Sequence, residues 1–186
     1  MNFFYALTPP DCLHGQHVYL DGDFLGMLFS DGQIFQKCIS ILSKSPLLID
    51  PLVEIEFLRD IFLPEQFKIK NAFISQPIFL PLARSQEIFL KILENVLVLS
   101  KIYAHQNKSK GVSFVDLFLA ATLMKQPQSL LITGNKKHFP STLFDTLGVI
   151  NIQQGDDLFK AFFIVKFNET AFQQASLKLK RVSNPI

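Results

Sequence analysis

The chain has 186 residues, of which 18 are Lys or Arg and 16 are Asp or Glu, and its formal net charge is +2. This near balance excludes a protein that attracts nucleic acid through a domain-wide positive field, so any such binding would need local patches. Hydrophobic residues make up 48% of the chain and include 20 Phe and no Trp. Length and composition together predict one domain with some appended material.

The two cysteines, Cys12 and Cys38, lie far apart and outside any CxxC pattern, which predicts neither a disulfide framework nor a zinc site. The first residues lack the basic flank and long apolar core of a signal peptide. No apolar run reaches the ~18 residues that a transmembrane helix needs. We therefore expect a cytoplasmic protein with no membrane segment.

In the first half of the chain, short apolar strands alternate with stretches that have helical periodicity. After a leader of residues 1–17, a short strand ends at Asp21 and two helical stretches follow. A second short strand ends at Asp50, and Pro51 suits the first turn of the helix after it. A carboxylate thus stands at the C-terminal end of each of these two strands.

The second half continues the alternation. Residues 77–81 form a short apolar stretch between prolines, typical of an edge strand, and residues 85–105 carry the clearest helical spacing in the chain. A helix from 113 to 123 and strands near 130 and 150 follow. Residues 153–186 are predicted to be a C-terminal extension that packs on the domain or projects from it.

Strands that alternate with helices favour right-handed crossovers and a sheet covered on both faces. We therefore expect an α/β fold, a three-layer α/β/α sandwich with a mainly parallel sheet of about five strands. In such a sheet the carboxyl ends of the strands meet at one edge, where ligands bind. The residues placed near that edge are six acids and one amide: Asp21, Asp23, Asp50, Glu54, Glu56, Asp116 and Asn135.

Clustered carboxylates raise one another's pKa values unless a cation neutralises them. Mg²⁺ prefers oxygen ligands and binds through a few carboxylates together with substrate phosphates. Such a site can hydrolyse phosphodiesters. Acids at strand ends also serve as helix caps and turn formers, so spacing alone leaves both interpretations open.

Five pieces of the sequence, in order, resemble the PIN-domain family of metal-dependent nucleases, best known from the VapC-type toxins of toxin–antitoxin pairs. Residues 116–123, DLFLAATL, are the most specific piece and are close to the family's D-x-x-I-A-A-T-A-L. The other four are VYLDGDFL at 18–25, similar to the family's LDTNVL; VEIEFL at 53–58; FLPL at 79–82; and LITGNKKHF at 131–139, similar to T-x-D-x-x-F.

The resemblance covers about residues 18–152 and implies a PIN-like nuclease domain there. It implies that Asp21, Glu56 and Asp116 are catalytic and hold Mg²⁺ or Mn²⁺. Glu56 matches the family's second acid better than Glu54, and the two lie ~200° apart around a helix, so both cannot face the site. Asn135 stands where the family usually has a fourth acid; it can ligate through its amide oxygen but brings no charge.

Two further residues are expected to support the site. Asp23 is a candidate for restoring the charge that Asn135 lacks, or else a cap of the following helix. Thr133 would orient a water or ligand, or else is an ordinary β-former. His138 is expected to be a surface or packing residue, because imidazole is not a preferred Mg²⁺ ligand.

The expected function is hydrolysis of RNA phosphodiesters by a PIN-type endoribonuclease, which the resemblance also connects with a toxin role and an antitoxin partner. Lys108, Lys110, Lys136 and Lys137 are candidates for holding the RNA backbone, or else form a solvated surface. A homodimer through an apolar surface of the C-terminal extension is a further expectation. The alternatives are a PIN-fold RNA-binding or protein-interaction module with lost or reduced catalysis, which Asn135 favours, and an unrelated α/β domain whose acids are only caps.

Overall fold

The computed structural model describes residues 3–6, 10–59, 61–106, 111–153 and 159–183. Their strands are β1 (Phe3–Ala6), β2 (Val18–Leu20), β3 (Leu47–Ile49), β4 (Phe79–Pro81), β5 (Leu130–Thr133), β6 (Phe144–Gln153) and β7 (Phe159–Phe167). Their helices are α1 (Gly22–Ser30), α2 (Gly32–Leu42), α3 (Pro51–Leu58), α4 (Pro64–Ile74), α5 (Gln86–His105), α6 (Phe114–Lys125) and α7 (Glu169–Ser183). Two short 3₁₀ turns span Pro10–Leu13 and Lys136–His138.

The seven strands form one mixed sheet in the order β1-β6-β7-β5-β2-β3-β4. The pairs β2–β3, β3–β4 and β2–β5 are parallel, and the pairs β5–β7, β6–β7 and β1–β6 are antiparallel. Strands β2 to β6 therefore run in one direction, and β1 and β7 run in the other. The α/β class is confirmed, with a sheet larger than the five strands expected.

Two segments that were predicted to lie outside the domain contribute strands to its sheet. Strand β1, from the expected leader, pairs with β6. Strand β7, from the expected extension, lies between β5 and β6 and pairs with both. The hairpin partner β6 is ten residues long, where only a short strand near residue 150 was expected. The sheet thus draws on both ends of the chain.

The helices form two groups. Helix α1 contacts α2 and α3, and α3 contacts α4, whereas α5 contacts α6 and α7. The chain moves from β2 to β3 to β4 in one direction and then returns past both to β5. Right-handed crossovers in opposite directions place their helices on opposite faces of the sheet, so the arrangement is compatible with three layers.

This topology reverses at the boundary between β2 and β5. Strand β2 is followed on one side by β3 and flanked on the other by β5, which comes much later in the chain. Ligand crevices of open α/β sheets lie outside the carboxyl ends of the strands at such a reversal. Asp21 follows β2 and Thr133 ends β5, so both lie at this boundary.

Aromatic packing holds the helices α1 to α4 on the sheet. The rings of Phe29, Phe57 and Phe73 lie 5.3–6.2 Å apart, and Phe73 also packs on Phe79 of β4. Edge-to-face and tilted contacts at these distances stabilise a core beyond the area that they bury. Helix α4 takes part in this packing although its side chains are at most half-buried, and it has no counterpart in the sequence-based prediction.

None of the described helices is both long enough and apolar enough to cross a membrane.

Candidate functional site

A cavity of about 540 Å³ lies beside the carboxyl ends of β2 and β5. Four of the predicted acids line it, together with the amide that replaces the expected fourth one. They are Asp21, which precedes α1; Asp23 in the first turn of α1; Glu56 on α3; Asp116 in the first turn of α6; and Asn135 after β5. Side chains far apart in the sequence thus surround one volume.

Asp21 is buried, with 5% of its surface exposed, as is Asp116. It is the N-cap of α1, where Oδ1 accepts a hydrogen bond from the Gly22 N–H (2.7 Å), and Oδ2 accepts one from the Thr133 hydroxyl. Burial raises the pKa of the Asp21 carboxyl to about 7, and the charges of Asp116 and Asp23 act in the same direction against these two hydrogen bonds. A nearby cation would relieve this cost of ionisation.

Asp116 is held by a capping box at the start of α6. Its Oδ2 accepts hydrogen bonds from the Ser113 N–H (3.2 Å) and the Ser113 hydroxyl (2.6 Å), while its own N–H donates to Ser113 Oγ (3.0 Å). Nδ1 of His138 lies 2.8 Å from the same Oδ2. These contacts of the described residues are all made to Oδ2. The other carboxylate oxygen, Oδ1, is therefore the one that can bind a ligand.

His138 is buried and joins the loop after β5 to α6. Its carbonyl accepts a hydrogen bond from the Tyr103 hydroxyl (2.6 Å), and its ring Nδ1 contacts Asp116 Oδ2. The tautomer of His138 with a proton on Nδ1 donates to this carboxylate. Burial, assisted by the charge of Asp116, raises the pKa of Tyr103. His138 is therefore the packing residue that was expected, and it also fixes one acid of the cavity.

Glu56 lies against the start of α1. A Cβ atom built on Gly22 would come within 3.2 Å of Glu56 Oε2, so the absence of a side chain at this glycine leaves room for the carboxylate. The Arg59 guanidinium lies 3.8 Å from the other oxygen, Oε1. Glu54, two residues earlier, lines a different cavity together with Pro51 and other residues, which agrees with the expectation that the two glutamates face different ways.

Asp23 and Asn135 meet around Gly134. A Cβ atom built on Gly134 would lie 3.2 Å from Asp23 Oδ2, so the Asp23 carboxylate sits next to the residue that precedes Asn135. The Asn135 N–H donates to Thr133 Oγ1 (2.9 Å). Thr133 therefore links Asn135 to Asp21. The side chain that caps α1 is that of Asp21, not that of Asp23.

Asp50 does not join the site. It is 1% exposed, caps α3 through a hydrogen bond from the Leu52 N–H (3.0 Å), and forms an ion pair with Arg84. Although it follows a parallel strand as Asp21 does, its charge is already matched. The position of Arg84, 34 residues further along the chain, could not be read from strand-end spacing.

Two of the four expected RNA-binding lysines, Lys136 and Lys137, belong to the described residues. Lys108 and Lys110 lie outside the described residues. The Lys136 ammonium donates to the Phe139 carbonyl (2.7 Å), and burial lowers its pKa, while Lys137 is exposed. Neither of the latter two lines the cavity.

Four of the polar or charged cavity residues were not predicted to take part in the site: Ser113, His138, Arg59 and Lys70. Ser113 carries a detectable signal, because Ser three residues before an acid is the pattern of a capping box. Arg59 lies three residues after Glu56 at the end of α3, a spacing that brings side chains together on a helix. Lys70 carries no such signal, since it reaches the cavity through the packing of α4 on α3. Pairing of this kind depends on tertiary structure.

The oxygen donors of the cavity fit a hard divalent cation in their chemistry. Within the described parts of the chain, however, no group of three or more His, Cys, Asp or Glu side chains is placed so that it could hold a metal ion. Mg²⁺ often binds proteins through only one or two carboxylates, with water and substrate phosphates as the other ligands. Asp21 and Asp116, whose charges act on each other, are the pair that would hold it.

Comparison with known proteins assigns no family to this chain, because it matches no protein-family model, no curated protein and no solved structure.

Proposed function

We propose that this protein is a divalent-cation-dependent endoribonuclease of PIN-domain type. The observation that carries the proposal is that Asp21, Glu56, Asp116 and Asn135 line one cavity although they come from four separate segments of the chain. These are the positions that the resemblance to the family implies. The cavity lies where an α/β sheet of this topology binds ligands.

The electrostatics of the cavity support an anionic substrate delivered together with a cation. Asp21 is buried, and its pKa is raised to about 7 partly by the charge of Asp116, so a positive charge between the two carboxylates is favourable. Arg59 and Lys70 line the same cavity and are suited to phosphate oxygens. When bound, a divalent ion would supply charge neutralisation on the phosphate and lower the pKa of water.

The chain's own residues would then have separate roles. Asp21 and Asp116 would hold the ion, with Glu56 and Asn135 facing the same volume. Thr133 would keep the Asp21 carboxylate in place through its hydroxyl. Asp23, beside Gly134, adds negative charge next to Asn135 and would offset the charge that Asn135 lacks.

The test is cleavage of labelled RNA with Mg²⁺ or Mn²⁺ by the wild type and by Asp116→Asn. We expect cleavage by the wild type, loss of cleavage with EDTA, and a rate at least about 100-fold lower in Asp116→Asn, since even residues that support metal ligands contribute 10–100-fold. Asp31→Asn is the matched control, because Asp31 caps α2 outside the cavity and Asn caps equally well. Equal cleavage by Asp116→Asn and the wild type would indicate a contaminating nuclease and refute the proposal.

The second candidate is an RNA-binding or protein-interaction module with lost or reduced catalysis. Asn135 favours it, as does the lack of a preassembled group of three metal-binding side chains among the described residues. Asn135→Asp separates the two candidates. A gain in cleavage would show that a weak enzyme lacks one charge, whereas RNA binding without cleavage in both proteins would support the module.

A toxin role with an antitoxin partner is a further proposal that rests on the resemblance alone. It predicts that expression arrests growth, that Asp116→Asn does not, and that a short reading frame for the antitoxin lies beside the gene. Growth unaffected by the wild type would contradict it.

Homodimer formation is also a proposal. In the expected C-terminal extension, Phe159 and Leu177 are exposed apolar side chains, which are candidates for an interface. Light scattering of the purified protein measures its mass directly, and we expect Leu177→Lys to shift a dimer toward monomer. A wild-type monomer at high concentration would contradict the proposal.

A further inference from the structure

Lys70 reaches the candidate site from a helix on the surface. Its ammonium donates a hydrogen bond to the Phe57 carbonyl (2.7 Å) and lies 4.5 Å from the centroid of the Phe57 ring. This carbonyl belongs to the last turn of α3, where helix carbonyls lack partners within the helix and a positive charge is favourable. The ammonium is therefore held in one place at the wall of the cavity.

No carboxylate among the described residues forms an ion pair with Lys70. The ion pairs of the described cavity residues join Arg59 to Glu56 and His138 to Asp116. A lysine ammonium has three donors, and the Phe57 carbonyl uses one. Within the described part of the cavity wall, Lys70 is thus a fixed cation with donors to spare. Arg59 differs from it, since it is already 3.8 Å from Glu56 and largely exposed.

A polyanion that approaches a cavity lined by four carboxyl groups needs positive charge beside them. Lysine binds phosphate as a point charge, and phosphate contacts dominate the affinity of proteins for nucleic acids. We propose that Lys70 binds a backbone phosphate of single-stranded RNA next to the candidate site. The identity of this ligand rests on the proposed function, and the role of Lys70 as its anchor rests on the contacts described above.

A merely structural role for Lys70 makes a different prediction. If the residue only caps α3, its loss lowers the stability of the fold and leaves the salt dependence of RNA binding unchanged. A phosphate contact instead contributes about 0.7 to the slope of log affinity against log salt for a single strand. The slope therefore separates the two roles.

The experiment measures binding of a fluorescent single-stranded RNA by anisotropy, with Mg²⁺, at several salt concentrations. All proteins carry Asp116→Asn so that the RNA stays intact. Lys70→Gln is compared with Lys68→Gln, which removes an exposed lysine from the same helix. Lys70→Arg keeps the charge, and Lys70→Met keeps the aliphatic chain over Phe57.

We expect the slope to fall by about 0.7 in Lys70→Gln and Lys70→Met and the affinity at about 0.1 M salt to fall about fivefold. Lys68→Gln and Lys70→Arg should retain the parent slope. Equal slopes in Lys70→Gln and Lys68→Gln would overturn the inference even if the wild type cleaves RNA. Binding that depends on Lys70 in a protein whose wild type never cleaves would refute the nuclease and leave the phosphate site standing. A parent protein that binds no RNA would refute both.

Discussion

The hydroxyl of Thr133 donates a hydrogen bond to Oδ2 of Asp21 and so joins the ends of two neighbouring parallel strands, β5 and β2. Both residues are buried. The bond holds a carboxyl group whose pKa is about 7 at the point where the topology of the sheet reverses. An acid kept in this environment destabilises the fold when it ionises, which makes its effect on stability measurable.

The pKa of Asp21 predicts how stability changes with pH. The folded protein holds this proton more tightly than the unfolded chain, because the pKa rises from 3.8 to about 7. Below about pH 4 the protonated Asp21 carboxyl therefore increases the free energy of unfolding, and this contribution is lost as the pH rises to about 7. At ~1.4 kcal/mol per pKa unit the upper limit of the loss is a few kcal/mol.

Asp21→Asn avoids this loss and retains a good helix cap. We expect the variant to be more stable than the wild type at pH 8 by about 1–3 kcal/mol, with the difference shrinking below pH 5. Urea denaturation at both pH values measures it. A difference that does not change with pH would contradict the raised pKa.

Gly22→Ala is expected to disturb the site without unfolding the protein. The added Cβ would lie 3.2 Å from Glu56 Oε2, so the carboxylate must move, while alanine favours the first turn of α1 by up to about 1 kcal/mol. We expect stability equal to or above that of the wild type and reduced RNA cleavage. Gly26→Ala is the matched control, since its Cβ has no atom within 4 Å. Equal cleavage by the two variants would contradict the placement of Glu56.

The buried pair Asp50–Arg84 is expected to serve stability rather than catalysis. Arg84 also donates to Thr122 Oγ1 (3.2 Å) and lies 5.3 Å from the Phe118 ring, so it ties β4 to α6. Arg84→Met leaves the Asp50 charge buried and should destabilise the fold by about 3–5 kcal/mol. Because Asp50→Asn keeps the cap of α3, the double variant should lose less than the sum of the single ones. Additive losses in thermal denaturation would contradict the coupling.

The sequence predicted the features that depend on local pattern. Strand β2 with Asp21 at its end, the long helix α5 and the choice of Glu56 over Glu54 all follow from periodicity or from motif order, and the structure places these residues as expected. Strand β7 could not be assigned because its apolar run fits either a helix or a buried strand, and only pairing with β5 and β6 decides between them.

The positions of two cations, Lys70 at the site and Arg84 outside it, depend on tertiary structure in the same way. Lys70 lies on α4, whose sequence has no strong apolar face, and it reaches the cavity because α4 packs on α3. Arg84 likewise meets Asp50 across two strands. No spacing rule connects such pairs along a single sequence.

The central claim is that one face of α3 carries a residue of a catalytic site, and the two glutamates of that helix test it directly. Glu56 lines the cavity with Asp21 and Asp116, whereas Glu54 lines a different one. The measurement is the rate of Mg²⁺-dependent RNA cleavage by the wild type, Glu56→Gln and Glu54→Gln at equal concentrations of folded protein. We expect Glu56→Gln to lose at least about 10-fold in rate and Glu54→Gln to match the wild type. Equal rates in the two variants, or a larger loss in Glu54→Gln, would contradict the claim.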